Sequence, residues 1–326
     1  MPFRPSNRQL EYAVALAEVG HFGGAARRCH VSQPTLSIQI ALLEKQFGTP
    51  LFDRAPGRVT PTAVGAHVIA TARGILASLD DMVAMAKTGA NNLGGLIRLG
   101  VAPTFGPYFL PALLPSLHAR YPGLEIYIRE ERPTVLERDV MEGALDCGLG
   151  PMPASGHALT FRALCTETIF LGAPKDHRLA GEMSITASQL RGERLLTLGK
   201  GHQLFDTVRE LAIMSGADLR EDYEGTSLDA LRQMVFMGMG LSLFPELYAR
   251  SEFRVEDDLV LLSVDGWEAI RTIGYFWRAS NGRAAQFEQL ARESEETCAS
   301  LGLKNGRSGA PKKDLVKVKA LANIPD

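Results

Sequence analysis

The sequence predicts an α/β protein in three parts: a small helical head ending in a basic hairpin, one long connecting helix, and a larger body of two α/β lobes with a cleft between them. Three observations carry this. Residues 20 to 62 read as a small-residue helix, a tight turn, a polar-headed helix and a hairpin. From Ala63 the apolar residues alternate by four and three, as one face of a long helix does. Further on, strand-like runs alternate with helical stretches, the rhythm of parallel βαβ units. At 326 residues the chain is about twice the usual domain size and has room for all three parts.

In the head, Asn7 to Val19 places Leu10, Val14 and Ala17 on one face of a short amphipathic helix. Gly24 to His30 is rich in alanine and other small residues, so a second helix there can approach its neighbour closely. Ser32 is a candidate N-cap, and Pro34 fits the first turn because the N–H it lacks would have been unpaired anyway. Leu36, Ile40, Leu43 and Phe47 then recur at helical spacing and should face the core. Gln33, Ser37 and Ile38 are left outward, where glutamine can read adenine edges and an apolar group can touch a thymine methyl. This is the pattern of a winged helix-turn-helix, and double-stranded DNA is the expected partner. The candidate DNA contacts are Arg27, Ser32, Gln33, Pro34, Thr35, Ser37 and Gln39, together with Arg54 and Arg58 flanking the Pro56-Gly57 turn of the wing.

In the connecting helix Val68, Ala72, Ile75, Leu79 and Met82 form a heptad-like seam, placed where a dimeric DNA binder joins its subunits. Asn91-Asn92-Leu93-Gly94-Gly95 is the expected hinge. The expected divisions are residues 1–62 for the head, 63–90 for the helix and 91–300 for the body. Lobe I takes about 95–165 and 267–300, and lobe II about 166–266. The last stretch, 301–326, carries six Lys or Arg against two acids and is expected to be a disordered basic tail.

Net charge is −2, but residues 1 to 90 carry +3 and the remainder −5, as a basic binding head on an acidic body would. Hydrophobic content of 45% with 22% charged residues is ordinary for a globular chain. No apolar run approaches the roughly 18 residues needed to cross a bilayer, and the N-terminus lacks a signal-peptide pattern. No membrane partner is expected, and the cytoplasm is the expected compartment. Cys29, Cys147, Cys165 and Cys298 are widely spaced without a CxxC pair, so neither a metal site nor a disulfide framework is indicated. There is no phosphate loop, no GxGxxG opening a helix and no GxSxG, so neither a cofactor nor an enzymatic activity is expected.

Ligands of open α/β sheets bind outside the carboxyl ends of strands. Expected strand ends supply Pro103 and Thr104, then Cys147, then Gly201, His202 and Gln203, and finally Thr226 and Ser227. The hydroxyls lie near helix N-termini, which favour an anionic group. The expected effector is therefore a small polar or anionic molecule held between the lobes.

The head segment LEYAVALAEVGHFGGAARRCHVSQPTLSIQIALLEKQFGTPLFDR resembles the DNA-binding head of LysR-type transcriptional regulators. The runs GVAPTFGPYFLPALLPSLHARYPGLEIYIRE, ALDCGLG, LLTLGKGHQLFDTV and GLSLFP extend the likeness to the OxyR-type, peroxide-sensing branch of that family. The resemblance implies a dimerising linker helix, effector lobes like those of periplasmic binding proteins, and a homodimer or paired-dimer tetramer. It also implies an interrupted inverted repeat near a promoter, transcriptional activation, and RNA polymerase as a further partner to test. Thr104, Gly201, His202 and Asp206 match the pocket of that branch, while Pro133 stands where it has a threonine, with Thr134 adjacent. The departure is chemical. Gln203 occupies the place of the reactive cysteine and Ala212 that of its resolving partner, and neither side chain forms a thiolate, sulfenic acid or disulfide. A redox response would have to use other groups, such as Cys147, Cys165 or methionines.

Overall fold

A computed structural model describes residues 4–88, 93–154, 156–253 and 259–306. The head comprises α1 (Asn7–Val19), α2 (Phe22–Arg28), α3 (Gln33–Phe47) and the hairpin β1 (Phe52–Ala55) and β2 (Arg58–Pro61). Local chemistry sets these boundaries. Ser6 and Gln9 close a capping box on α1, and Gly20 ends it in the left-handed conformation. His21 starts α2 by accepting the Gly24 N–H at Nδ1, 2.9 Å away. Ser32 Oγ accepts from Thr35 N to start α3. Leu36, Ile40 and Leu43 are fully buried against α1 and α2. The wing is pinned to the head by a 2.7 Å bond from Val59 N to Gly20 O.

Helix α4 (Ala63–Thr88) opens with Thr62 Oγ1 accepting from Gly65 N. Asn91 and Asn92 of the expected hinge lie outside the described residues.

The body runs β3 (Gly95–Val101), α5 (Gly106–Arg120), β4 (Leu124–Glu130), α6 (Pro133–Met141), β5 (Cys147–Pro151), β6 (Leu159–Pro174), β7 (Ser184–Thr186), β8 (Arg194–Leu196), α7 (Gln203–Ser215), β9 (Asp218–Arg220), α8 (Leu228–Phe236), β10 (Leu241–Pro245), α9 (Glu246–Glu252), β11 (Leu259–Asp265), β12 (Ile270–Arg278), α10 (Ala284–Ser300) and β13 (Lys304–Asn305). Strand order is β4-β3-β5-β12-β6 in one lobe and β6-β10-β8-β9 in the other, with β11 also on β6. Each lobe has its own core. Leu99, Phe109, Tyr275, Trp277 and Phe287 pack in the first, and Leu195, Leu211, Leu231 and Phe244 in the second.

Three expectations are corrected. The sheet is mixed rather than parallel: β3 runs parallel to β4 and β5, and β8 to β9 and β10, but β12 is antiparallel to β5 and β6. The runs ALTFRALC and TIFLGAP form one 16-residue strand, β6, which passes from lobe to lobe and so needs partners from both. The ordered body also extends past residue 300, because Leu303 is buried and β13 pairs with Cys165 and Thr166 of β6. Residues 307–326 of the expected tail lie outside the described residues.

Candidate DNA interface, cleft and junction

On the head, Arg27, Ser32, Gln33, Pro34, Thr35, Arg54 and Arg58 are exposed, and Ser37 is half-buried. Four of the candidate contacts are otherwise engaged, Ser32 and Thr35 with each other and two more through longer-range partners. Gln39 Oε1 accepts from Gln9 Nε2 at 3.3 Å within the head, so its amide serves packing between α1 and α3. Arg54 donates to Glu44 Oε2 at 2.9 Å and lies over the Phe22 ring at 5.2 Å. The other Glu44 oxygen accepts from the backbone N–H groups of Leu51 and Phe52, at 2.9 and 3.1 Å. Glu44 therefore ties α3 to the wing and fixes where Arg54 stands. The sequence reading passed over it; a lone acid late in a recognition helix is the signal that could have found it.

The apolar residues of α4 divide between two faces. Ala72 is buried and Val68 packs on the head's own core, because one face of α4 lies on α1. The apolar line left exposed is Val64, Ile75 and Met82, with Val83 beside it, while Leu79 is intermediate. These residues repeat by eleven and seven, which returns to one helix face at about 100° per residue.

In the body, four of the predicted groups gather at strand carboxyl ends. Thr104 follows β3, Pro133 and Thr134 open α6 after β4, Gly201 and His202 follow β8, and Thr226 follows β9. Gly201 has φ +93°, and a Cβ there would stand 2.7 Å from Thr134 Oγ1, so only glycine lets the lobes meet this closely. Arg132 crosses the same gap, donating to the carbonyls of Lys200 and Glu224 at 3.2 and 3.0 Å. Gly199 N donates to Gly225 O at 3.0 Å, which sets Thr226 beside this loop.

Beneath the crossing lies a buried ionic group. Arg271 Nε donates to Glu167 at 2.7 Å, and its two remaining nitrogens donate to the hydroxyl and carbonyl of Thr104, each at 2.8 Å. Thr104 is thus held by an arginine rather than acting as a helix cap. His202 is buried, and its Nε2 has no hydrogen-bond partner among the described residues. Burial, reinforced by the Arg132 and Arg271 charges, pushes its pKa down to about 4, so the ring is neutral near pH 7.

The remaining predicted groups are Cys147, Gln203, Asp206 and Ser227. Cys147 begins β5 instead of ending it and is buried in the lobe I core, where desolvation holds its thiol well above the ordinary range. Strand direction explains the error, since the carboxyl end of β5 is Pro151. Gln203 and Asp206 are exposed on α7, and Asp206 lies 3.9 Å from Arg209. Ser227 caps α8 by accepting from Ala230 N.

A cavity of about 730 Å³ lies away from the cleft, where head, α4 and lobe I meet. Arg73 of α4 bridges it, 3.4 Å from Glu18 of α1 and 3.1 Å from Glu142 at the end of α6. Arg98 of β3 stands 3.6 Å from Asp80 of α4. At Gly143, φ +76°, a Cβ would lie 3.1 Å from both Ala77 Cβ and Arg73 O. The lobe thus rests directly on the helix that carries the head.

A winged head, a long helix and a two-lobed domain closing on a polar crossing together define a ligand-controlled DNA-binding regulator. The chain belongs to the LysR family of transcriptional regulators. The family model "Bacterial regulatory helix-turn-helix protein, lysR family" matches residues 7–66, and "LysR substrate binding domain" matches residues 90–299. The chain is 37% identical over 284 residues to the DNA-binding transcriptional dual regulator OxyR of Escherichia coli, covering 87% of this chain and 93% of that protein. It is also similar to a full-length OxyR variant from Pseudomonas aeruginosa, with 32% identity, 90% and 95% coverage and a TM-score of 0.75. A hydrogen-peroxide-bound OxyR mutant of Corynebacterium glutamicum matches with 30% identity, 92% and 95% coverage and a TM-score of 0.60. The relatives are regulators, not enzymes. Among the described residues no helix is long and apolar enough to cross a membrane.

Proposed function

We infer that this regulator responds to a small polar or anionic effector received where Thr104, Arg132, Thr134, Gly201 and His202 meet, and that it does so without cysteine redox chemistry. The observation that carries this reading is the buried Nε2 of His202, without a hydrogen-bond partner among the described residues, beside Arg132 and Arg271. An orphaned buried polar group costs about 1–3 kcal/mol, which a ligand with a matching group would recover. Exposure of Gln203 and the raised thiols of Cys147 and Cys165 support the absence of a thiolate switch; hydrogen bonding to Cys298 and burial both disfavour ionised Cys165.

The exposed line Val64, Ile75 and Met82 supports a homodimer joined through α4, acting in the cytoplasm on an inverted repeat, with assembly to a tetramer and contact with RNA polymerase as further steps. Closure at the cleft would reach the head through the Arg73 bridges to Glu18 and Glu142. The test is footprinting on the protein's own upstream DNA with a panel of small carboxylates, phosphate and peroxide. An anion or polar metabolite that shifts the footprint of the wild type but not of His202→Gln is the expected result. A peroxide response that disappears when all four cysteines become serine would overturn it.

A further inference from the structure

The outward face of α3 carries one more inference, which rests on the DNA-binding function above. Fully buried Leu36, Ile40 and Leu43 fix the inward face, and at about 100° per residue Ile38 stands nearly opposite them. Ile38 is 59% exposed, and Leu42, one turn later, is 41% exposed. Gln33 and Ser37 lie towards the N-terminal end of the helix, and several of its other polar side chains are already engaged. Ser32 Oγ holds Thr35 N and lies 2.7 Å from Thr35 Oγ1, Gln39 is bonded to Gln9, and Glu44 holds the wing. The helix carries no arginine, and its one lysine, Lys45, comes seven residues after Ile38, towards the far end of the same face. The middle of the face that a helix-turn-helix presents to the major groove is therefore apolar. Among the four bases only thymine offers the groove an apolar group, its C5 methyl.

We propose that Ile38, with Leu42 beside it, reads thymine methyl groups, so that each operator half-site is specified by thymine at the positions facing the middle of α3. Replacing a thymine by deoxyuridine removes that methyl and leaves base pairing intact. The test begins by selecting the preferred duplex from a random library with the wild-type protein, and then substitutes its thymines one at a time. At least one substitution per half-site should weaken wild-type binding about fourfold, the equivalent of one buried methyl group. Ile38→Ala should bind the parent duplex more weakly and be insensitive to that same substitution. Ile38→Gln should shift the preference at that position towards adenine, whose edge a glutamine can read. Both variants alter an exposed side chain, and an unchanged unfolding midpoint checks that the head is intact.

The proposal is overturned if no deoxyuridine substitution weakens the wild type, or if Ile38→Ala remains as sensitive as the wild type. A wild-type protein that selects no sequence at low salt would instead remove the regulator function, and this proposal with it.

Discussion

Two of the ionic clusters, one at the cleft and one at the junction of lobe I with the head, differ in burial. The Arg271 and Glu167 side chains are 3% and 0% exposed, whereas Arg73, Glu18 and Glu142 are 22%, 31% and 28% exposed. A charge buried in low dielectric needs its partner and every hydrogen bond, so the Arg271 cluster fixes one geometry of the cleft floor. Half-exposed pairs exchange with water and salt at little cost, so the Arg73 bridges suit a joint that shifts. The contrast puts the rigid element under the proposed ligand site and the compliant one at the head.

The largest expected effect tests the rigid side. Arg271→Ala strands the Glu167 carboxylate, which also accepts from Leu247 N at 3.0 Å, and should cost about 3–5 kcal/mol in urea unfolding. A loss below about 1 kcal/mol, the range of surface pairs, would erase the contrast. Gly143→Ala should cost about 1–2 kcal/mol for the left-handed backbone, with further loss from the contact with α4. Limited proteolysis should then cut between α4 and β3 more readily than in the wild type.

His202 predicts a pH dependence confined to the rigid side. Its folded pKa of about 4 lies below the ordinary 6.5, so as pH falls the unfolded chain takes up the proton first. Stability from this group is complete above pH 6.5, declines between 6.5 and 4, and is level below 4. His202→Gln should flatten that segment of the profile in thermal melts. The smallest effect belongs to the compliant side: Arg73→Ala should change stability by less than about 1 kcal/mol. It should nevertheless weaken the coupling between effector and DNA binding, a coupling that in the wild type should itself fall between about 0.1 and 1 M salt. Unchanged coupling in Arg73→Ala would place the communication elsewhere.

Most of the head was legible because its signals are local. Ser32 and Pro34 mark a helix start within one turn, and the spacing of Leu36, Ile40 and Leu43 states which face is buried. The cleft was legible only in part. Thr104, Thr134, Gly201 and His202 follow strands, so a rule about strand ends finds them, but the same rule misplaced Cys147 at the wrong end of β5. Arg132, Glu167 and Arg271 escaped it because their partners are far along the chain; Arg271 and Glu167 are 104 residues apart. A charge inside an apolar strand, as in CTETIF and IRTIGYF, was the available signal.

The seam on α4 shows the same division. Periodicity correctly gave a long apolar helix, yet two faces of it are apolar, and only contact with α1 decides that Ala72 turns inward while Ile75 and Met82 stay out. Sequence alone determined the helices of the head, the Ser32 cap, the family and the absence of cysteine at positions 203 and 212, because each depends on residues within a few positions or on identity at one site. Tertiary structure alone decided which strands run antiparallel, which arginine meets which carboxylate and where lobe I rests on the linker. Those outcomes depend on distant segments meeting in space, and no local pattern encodes the meeting.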